Sequence, residues 1–156
     1  MSKTTPATLA LDKAGVAYAL ATYDYDPGAD RVGLQAAQAL GVPASEVLKT
    51  LMVLVDGKPV CVVLASDKEV AMKKLAAALS AKHAEMMKPA DAERITGYRV
   101  GGVSPFGQKK PCPTVIDAEA ATLDRAFVNG GQRGLQVRLD PADLVRLLGA
   151  KAAAIT

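Results

Sequence analysis

The feature that most restricts the fold is a pair of apolar runs joined by two residues suited to a tight turn. Leu51-Met52-Val53-Leu54-Val55 has no polar side chain, Asp56-Gly57 follows, and Val60-Cys61-Val62-Val63-Leu64 returns. An apolar run of this length without alternation reads as a strand covered on both faces. Asp-Gly supplies the positive φ angles that a two-residue hairpin turn requires. The chain is therefore expected to build around a buried hairpin.

One cation stands at the entrance to that hairpin. In Glu46-Val47-Leu48-Lys49-Thr50-Leu51, Lys49 lies where the first strand leaves the surface. A lysine there either snorkels, with its ammonium in water, or is a fixed cation pointing into a cleft. This stretch alone leaves both readings open.

The remaining elements follow from capping and periodicity. Thr5-Pro6 opens a helix that Gly15 stops. Val16 to Tyr25 alternates loosely as a strand, and Asp26-Pro27-Gly28 is a turn. A second helix is predicted over Gly33 to Leu40, with Gly41 as its stop. Ser45 is the expected cap of a short turn before Lys49. Ser66 or Asp67 is the expected cap of a helix carrying Met72, Leu75, Ala76 and Leu79 on one face, with Lys73, Lys74 and Lys82 off it. Pro89 begins a helix that Gly97 closes. Thr114 to Ile116 is a strand, and Ala126–Val128 with Leu135–Leu139 form a hairpin around residues 129–134. Asp140 caps a last helix that ends at Gly149. This order gives an α/β or α+β fold with a mixed sheet, and residues 1–156 read as one domain without repeats or linkers.

Charge and reactive side chains exclude several classes. A formal charge of +3 permits contact with a polyanion but is far from a dedicated nucleic-acid stripe. The N-terminus lacks the apolar core of a signal peptide and no run is long enough to span a membrane, so a cytoplasmic protein is expected. Cys61 falls inside a strand as a small buried hydrophobe. Cys112 lies between two prolines with nothing placed to make its thiolate. The single histidine, His83, leaves no conventional zinc site or Ser/His/Asp triad. No metal or cofactor is expected.

The second informative stretch is Gly97-Tyr98-Arg99-Val100-Gly101-Gly102-Val103-Ser104-Pro105-Phe106-Gly107-Gln108-Lys109-Lys110. Such glycine density allows a backbone with unusual dihedrals to approach another group closely. The amides of the loop could form an anion or oxyanion site, or the loop could be a tight turn between strands. It matches neither GxxxxGK[ST] nor GxGxxG.

Taken together, these stretches resemble the YbaK family of aminoacyl-tRNA editing proteins, in particular its free-standing bacterial Cys-tRNA(Pro) deacylases. The resemblance rests on Tyr23-Asp24-x-Asp26-Pro27, Lys49-Thr50-Leu51, Thr96-Gly97-Tyr98, Gly101-Gly102-Val103-Ser104-Pro105-x-Gly107-Gln108-Lys109-Lys110 and Gly130-Gly131-x-Arg133-Gly134-Leu135, in the family's order across nearly the whole chain. It implies a compact, partly barrel-like mixed sheet flanked by helices, with a pocket between Lys49 and the glycine loop. It also implies hydrolysis of the ester that joins a wrong amino acid to the tRNA 3′ end.

The resemblance further implies a division of labour. Lys49, Gly101 and Ser104 are the expected catalytic residues, and Tyr23, Val32, Thr50, Gly102, Val103 and Pro105 the expected substrate-binding ones. In cysteine-specific members the substrate's own thiol attacks its ester carbonyl, giving a thiolactone, and the protein orients the ester and stabilises developing charge. The implied partners are aminoacylated tRNA(Pro) and, transiently, prolyl-tRNA synthetase, with no membrane. Two departures bear on specificity: Val32 stands where many relatives carry an aromatic residue, and the segment Ala65–Glu69 is shorter. Removal of another small amino acid such as alanine, or non-catalytic binding of tRNA or synthetase, are the competing readings. Oligomeric state is not legible.

Overall fold

The computed structural model describes residues 4–27 and 32–156. At its centre the Asp56-Gly57 turn has φ angles of 49° and 80°. It folds β2 (Leu48–Val55) antiparallel onto β3 (Lys58–Ala65), in register from Leu48↔Ala65 to Val55↔Lys58. Side chains alternate across this hairpin, and both sets are buried, as the unbroken apolar runs predict. Leu48, Met52, Cys61, Val63 and Ala65 face one core, and Val53, Val55, Val60, Val62 and Leu64 face a second. Each such side chain removed from water contributes roughly 1.5–3 kcal/mol.

Around the hairpin the chain adds α1 (Pro6–Lys13), β1 (Ala19–Thr22), α2 (Val32–Leu40), α3 (Met72–Ala78), β4 (Ala84–Met86), α4 (Pro89–Thr96), β5 (Thr114–Asp117), α5 (Ala118–Ala121), β6 (Ala126–Gln132), β7 (Leu135–Leu139), α6 (Pro141–Leu148) and β8 (Lys151–Ala153). The strands form a mixed five-stranded sheet in the order β4-β2-β3-β5-β8 and a three-stranded sheet in the order β1-β7-β6. The sheets meet at an isolated parallel bridge between Val47 and Phe127, which gives the mixed, partly barrel-like arrangement expected. The first core lies between them, closed by Leu11 of α1 and Leu144 of α6. The second lies on the far side of the large sheet, under Leu75 of α3 and Ile155.

Capping explains the helix ends that were legible. Thr5 Oγ1 accepts from Thr8 N at 3.1 Å while Thr8 Oγ1 accepts from Thr5 N at 2.8 Å, a reciprocal box. Asp140 accepts from Ala142 N at 2.9 Å, and Gly97 and Gly149 close their helices at φ 81° and 60°.

Several expectations are corrected. Neither Ser66 nor Asp67 caps α3, which starts at Met72 after an uncapped Ala71; the Ser66 hydroxyl instead donates to Val47 O at 2.5 Å. Ser45 caps nothing, because the short 3-10 turn over Ala44–Glu46 begins after Pro43 without a side-chain cap. The strand predicted over Val16–Tyr25 is only β1, since pairing with β7 ends at Thr22↔Leu135. The β6–β7 turn is also shorter than residues 129–134: β6 continues through a bulge to Gln132. The expected Asp26-Pro27-Gly28 turn lies partly outside the described residues.

Candidate active site

The site grows from a gap in the pairing of β2. Below it, β4 covers Val53 to Val55, and Met87 N donates to Met52 O at 3.1 Å. Above it, Val47 bridges to Phe127. Alternate residues of a strand turn their N–H and C=O to the same edge. Thr50 therefore directs its backbone groups the way Met52 does, at a height where β4 has ended. The opening leads into a cavity of about 360 Å³.

Four elements wall this cavity. β2 supplies Lys49 and Thr50, α4 supplies Pro89 and Ala92, the glycine loop supplies Gly101 and Val103, and the small sheet supplies Asn129 and Gln136. Gly33 and Ser66 close one end. A Cβ on Gly33 would stand 2.2 Å from Ser66 Oγ, so α2 reaches this end only because that residue has no side chain. Met52, Met86 and Met87 give a soft, polarisable floor and rim. Lys49 is the one charged residue among the described residues lining the cavity. Its side chain is 19% exposed, and Nζ lies 3.8 Å from Glu69 Oε1.

The glycine loop is pinned from several sides. Glu93 accepts from Val100 N at 2.9 Å, Arg133 Nε donates to Val100 O at 2.9 Å, and Asn129 Nδ2 donates to Gly101 O at 3.2 Å. Tyr98 donates to Phe106 O at 2.5 Å, and Gln108 Nε2 to Ser104 O at 3.0 Å. Gly101, at φ 91°, lies so close to Tyr25 that a Cβ would sit 2.6 Å from its hydroxyl. The loop is therefore held rigidly beside the cavity.

The predicted residues divide into two groups. Lys49, Thr50, Gly101 and Val103 line one cavity. Gly102 does not: its N–H is spent on Arg99 O at 2.8 Å, and a Cβ there would meet Arg133 N at 2.9 Å. Ser104 is fully buried, and its hydroxyl accepts from Phe106 N at 3.1 Å, so it fastens the turn rather than facing the cavity. Pro105 is buried beside it. Tyr23 stands behind the wall, packed with Ala36, Ala37 and Val47. Val32 begins α2, with its side chain outside the described residues.

Burial leaves the protein's own thiols poorly suited to attack. The Cys61 thiol is pushed up to about 12 by burial, and burial raises Cys112 as well. Both sit near Gln108 and outside the cavity wall. Burial also raises the Tyr23 phenol, which keeps it protonated.

Two wall residues were missed. Asn129 reads as a turn residue before Gly130-Gly131, yet it is 7% exposed and its Oδ1 accepts from Gly131 N at 2.7 Å and Gln132 N at 3.2 Å. Gln136 is 3% exposed and pairs directly across from Asn129. The available signal was the polar residue between Leu135 and Val137 in an otherwise apolar run.

Comparison with known proteins bears on the chemistry. Residues 26–147 match the model of the aminoacyl-tRNA editing domain. The chain is 39% identical over 122 residues to EbsC of Enterococcus faecalis, a proposed Cys-tRNA(Pro)/Cys-tRNA(Cys) deacylase, covering 77% of this chain and 74% of that one. It is also 39% identical over 92 residues to the proline–tRNA ligase of Geobacter metallireducens, covering 59% of this chain but only 16% of the ligase. A solved trans-editing enzyme proposed for prolyl-tRNA synthetase superposes with a TM-score of 0.82 over 99% of each chain at 22% identity.

Proposed function

The chain belongs to the aminoacyl-tRNA editing domain family, whose members act on aminoacyl-tRNA, and we propose that its substrate is mischarged Cys-tRNA(Pro), deacylated in trans. The observation that supports this reading is the cavity itself, lined by Lys49, Gly101 and Val103, in a space at the small end for a small-ligand site. Such a site suits an ester whose carbonyl needs orientation and charge stabilisation more than it needs an enzyme nucleophile. A synthetase pocket built for proline discriminates against a smaller amino acid by only about 1–3 kcal/mol, so a second site has to clear the error.

In this mechanism the substrate thiol attacks its own ester carbonyl. The S–C bond forms, the bond from that carbon to the ribose oxygen breaks, and the thiol proton passes to the departing oxygen. Water then opens the resulting thiolactone to free cysteine. Lys49 holds the ester carbonyl or terminal phosphate as a point charge, and the Gly101 and Val103 backbone is assigned to the developing oxyanion. Ser104 and Pro105 act at one remove, by fixing the loop, and Tyr23 acts from behind the wall. Prolyl-tRNA synthetase is the proposed transient partner, because a chain of net charge +3 has few cations with which to grip tRNA alone. The expected compartment is the cytoplasm.

The methionine-rich floor favours one second reading, since a deformable apolar wall also accepts alanine. Water would then replace the thiol. Deacylation of Cys-, Ala- and Ser-tRNA(Pro) by wild type and Lys49→Ala decides between these. Loss of cysteine alone, reduced at least about a hundredfold in Lys49→Ala, is expected. Equal loss of alanine assigns a broader hydrolase, and no deacylation even with the synthetase present would leave a binding module.

A further inference from the structure

Three buried side-chain oxygens have no hydrogen-bond partner among the described residues: Tyr23 Oη, Thr50 Oγ1 and Gln136 Oε1. Buried polar atoms are nearly always satisfied, so orphans grouped in one region need a reason. Two of the three residues line the cavity, and Gln136 is 97% buried there. The third is their neighbour: Tyr23 lies two residues beyond Ala21, which pairs with Gln136 across β1 and β7, so the two side chains stand on the same face. Thr50 and Gln136 reach the cavity from different sheets.

The chemistry of this wall is acceptor-rich and uncharged. Gln136 offers a carbonyl oxygen, Thr50 a hydroxyl and, at the open edge, a backbone carbonyl. No carboxylate lines the cavity among the described residues. The strand geometry also separates this group from the cation. Adjacent side chains of β2 point to opposite faces, so Thr50 looks into the core between the sheets with Leu48 and Met52, while Lys49 looks the other way, toward Glu69. A ligand spanning the cavity thus meets positive charge on one side and a wall holding buried, unpartnered oxygens on the other.

We infer that Gln136 Oε1 and Thr50 Oγ1 form the subsite for a primary ammonium, the α-amino group of the aminoacyl ester, with Tyr23 as the positioning residue for Gln136. This rests on the deacylase reading above and adds a requirement to it: the substrate presents a free amino group. Two of an ammonium's three donors satisfy the Gln136 and Thr50 oxygens, and repulsion from Lys49 drives the group to that wall. Esters whose amino group is acylated, as at the end of a growing peptide, are therefore excluded from the site.

The test separates binding from turnover. The probes are 3′-deoxy-3′-(L-cysteinylamino)adenosine, whose amide bond resists hydrolysis, and its α-hydroxy analogue, which keeps the shape and lacks the ammonium. Calorimetric titration of wild type is expected to favour the amine by about tenfold to a hundredfold, the range for a hydrogen bond to a charged group. Gln136→Met is expected to reduce that preference to below about threefold, and Thr50→Val to narrow it, with circular dichroism unchanged. Equal binding of the two probes to wild type, no binding of either, or a preference that survives in folded Gln136→Met overturns the inference. Should Gln136→Met fail to fold, Thr50→Val decides in the same way, since it removes one orphan hydroxyl at constant shape. Hydrolysis of Cys-tRNA(Pro) is measured in parallel. Turnover without discrimination between the probes defeats only the ammonium subsite, and discrimination without turnover defeats only the deacylase reading.

Discussion

The two halves of β2 are built on opposite plans. From Met52 to Val55 the strand has β3 on one side and β4 with Met87 on the other, and its side chains enter two dry cores. From Leu48 to Leu51 one edge opens on a cavity, Lys49 is partly exposed, and Thr50 holds a hydroxyl without a partner. One half stabilises the fold; the other carries an unsatisfied group that costs stability and that the proposal above assigns to a ligand. The lesson is that a single strand supports both because its paired half over-determines where the open half must lie.

That contrast is open to breaking. Leu75→Ala, at a fully buried site in the apolar core under α3, is expected to lower unfolding free energy by about 2–5 kcal/mol in urea titration. It should leave deacylation per folded molecule nearly unchanged. A selective loss of activity would show that the two halves are not independent.

Asn129→Ala attacks the joint between them. It removes bonds to Gly131, Gln132 and Gly101 together, and is expected to cost about 1–3 kcal/mol and to loosen the glycine loop, seen as faster amide exchange near Gly101.

Alkaline pH sharpens the comparison from the dry side. The Cys61 thiol is raised from 9.0 to about 12 on folding. A group that holds its proton more tightly when folded contributes fully below its unfolded value and loses that contribution as pH rises toward the folded one. Stability is thus expected to fall from about pH 9 upward, by on the order of 1–2 kcal/mol by pH 10.5 from this thiol, and Cys61→Ala should flatten that slope in pH-dependent melting.

The smallest effect has the opposite sign. Thr50→Val deletes a buried hydroxyl that has no partner, so it is expected to raise stability by about 0.5–1 kcal/mol while weakening ligand binding. A lowered melting temperature would show that the hydroxyl is already satisfied in the resting protein.

How much of this was legible follows the same division. The paired half of β2 was plain because apolar runs and Asp-Gly are local signals with one physical meaning. Lys49 and the glycine loop stood out by their own residues with two readings each, and the resemblance chose between them, whereas Thr50 entered through the resemblance alone. Gln136 was passed over because its role exists only once β7 is laid against β6 and the small sheet is set across from β2. β8 was invisible for a related reason: Lys151-Ala152-Ala153 has no strand preference of its own and is extended only because it pairs parallel with β5. Ser66 misled because a cap signal before an apolar helix was outweighed by its bond to Val47.

The opening beside Thr50 has a further consequence, for colloidal behaviour rather than catalysis. An unpaired strand edge is a template on which another chain can add a strand, and natural sheets protect such edges by keeping them short, recessed or charged. This one is bounded by β4 below and by the bridge to Phe127 above, lies at the mouth of a concavity, and carries an ammonium at the adjoining residue. Lys49 is thus placed as a gatekeeper against edge-to-edge association as well as being the proposed charge for the substrate, and replacing it with an apolar residue is expected to favour aggregation even where the fold is unharmed.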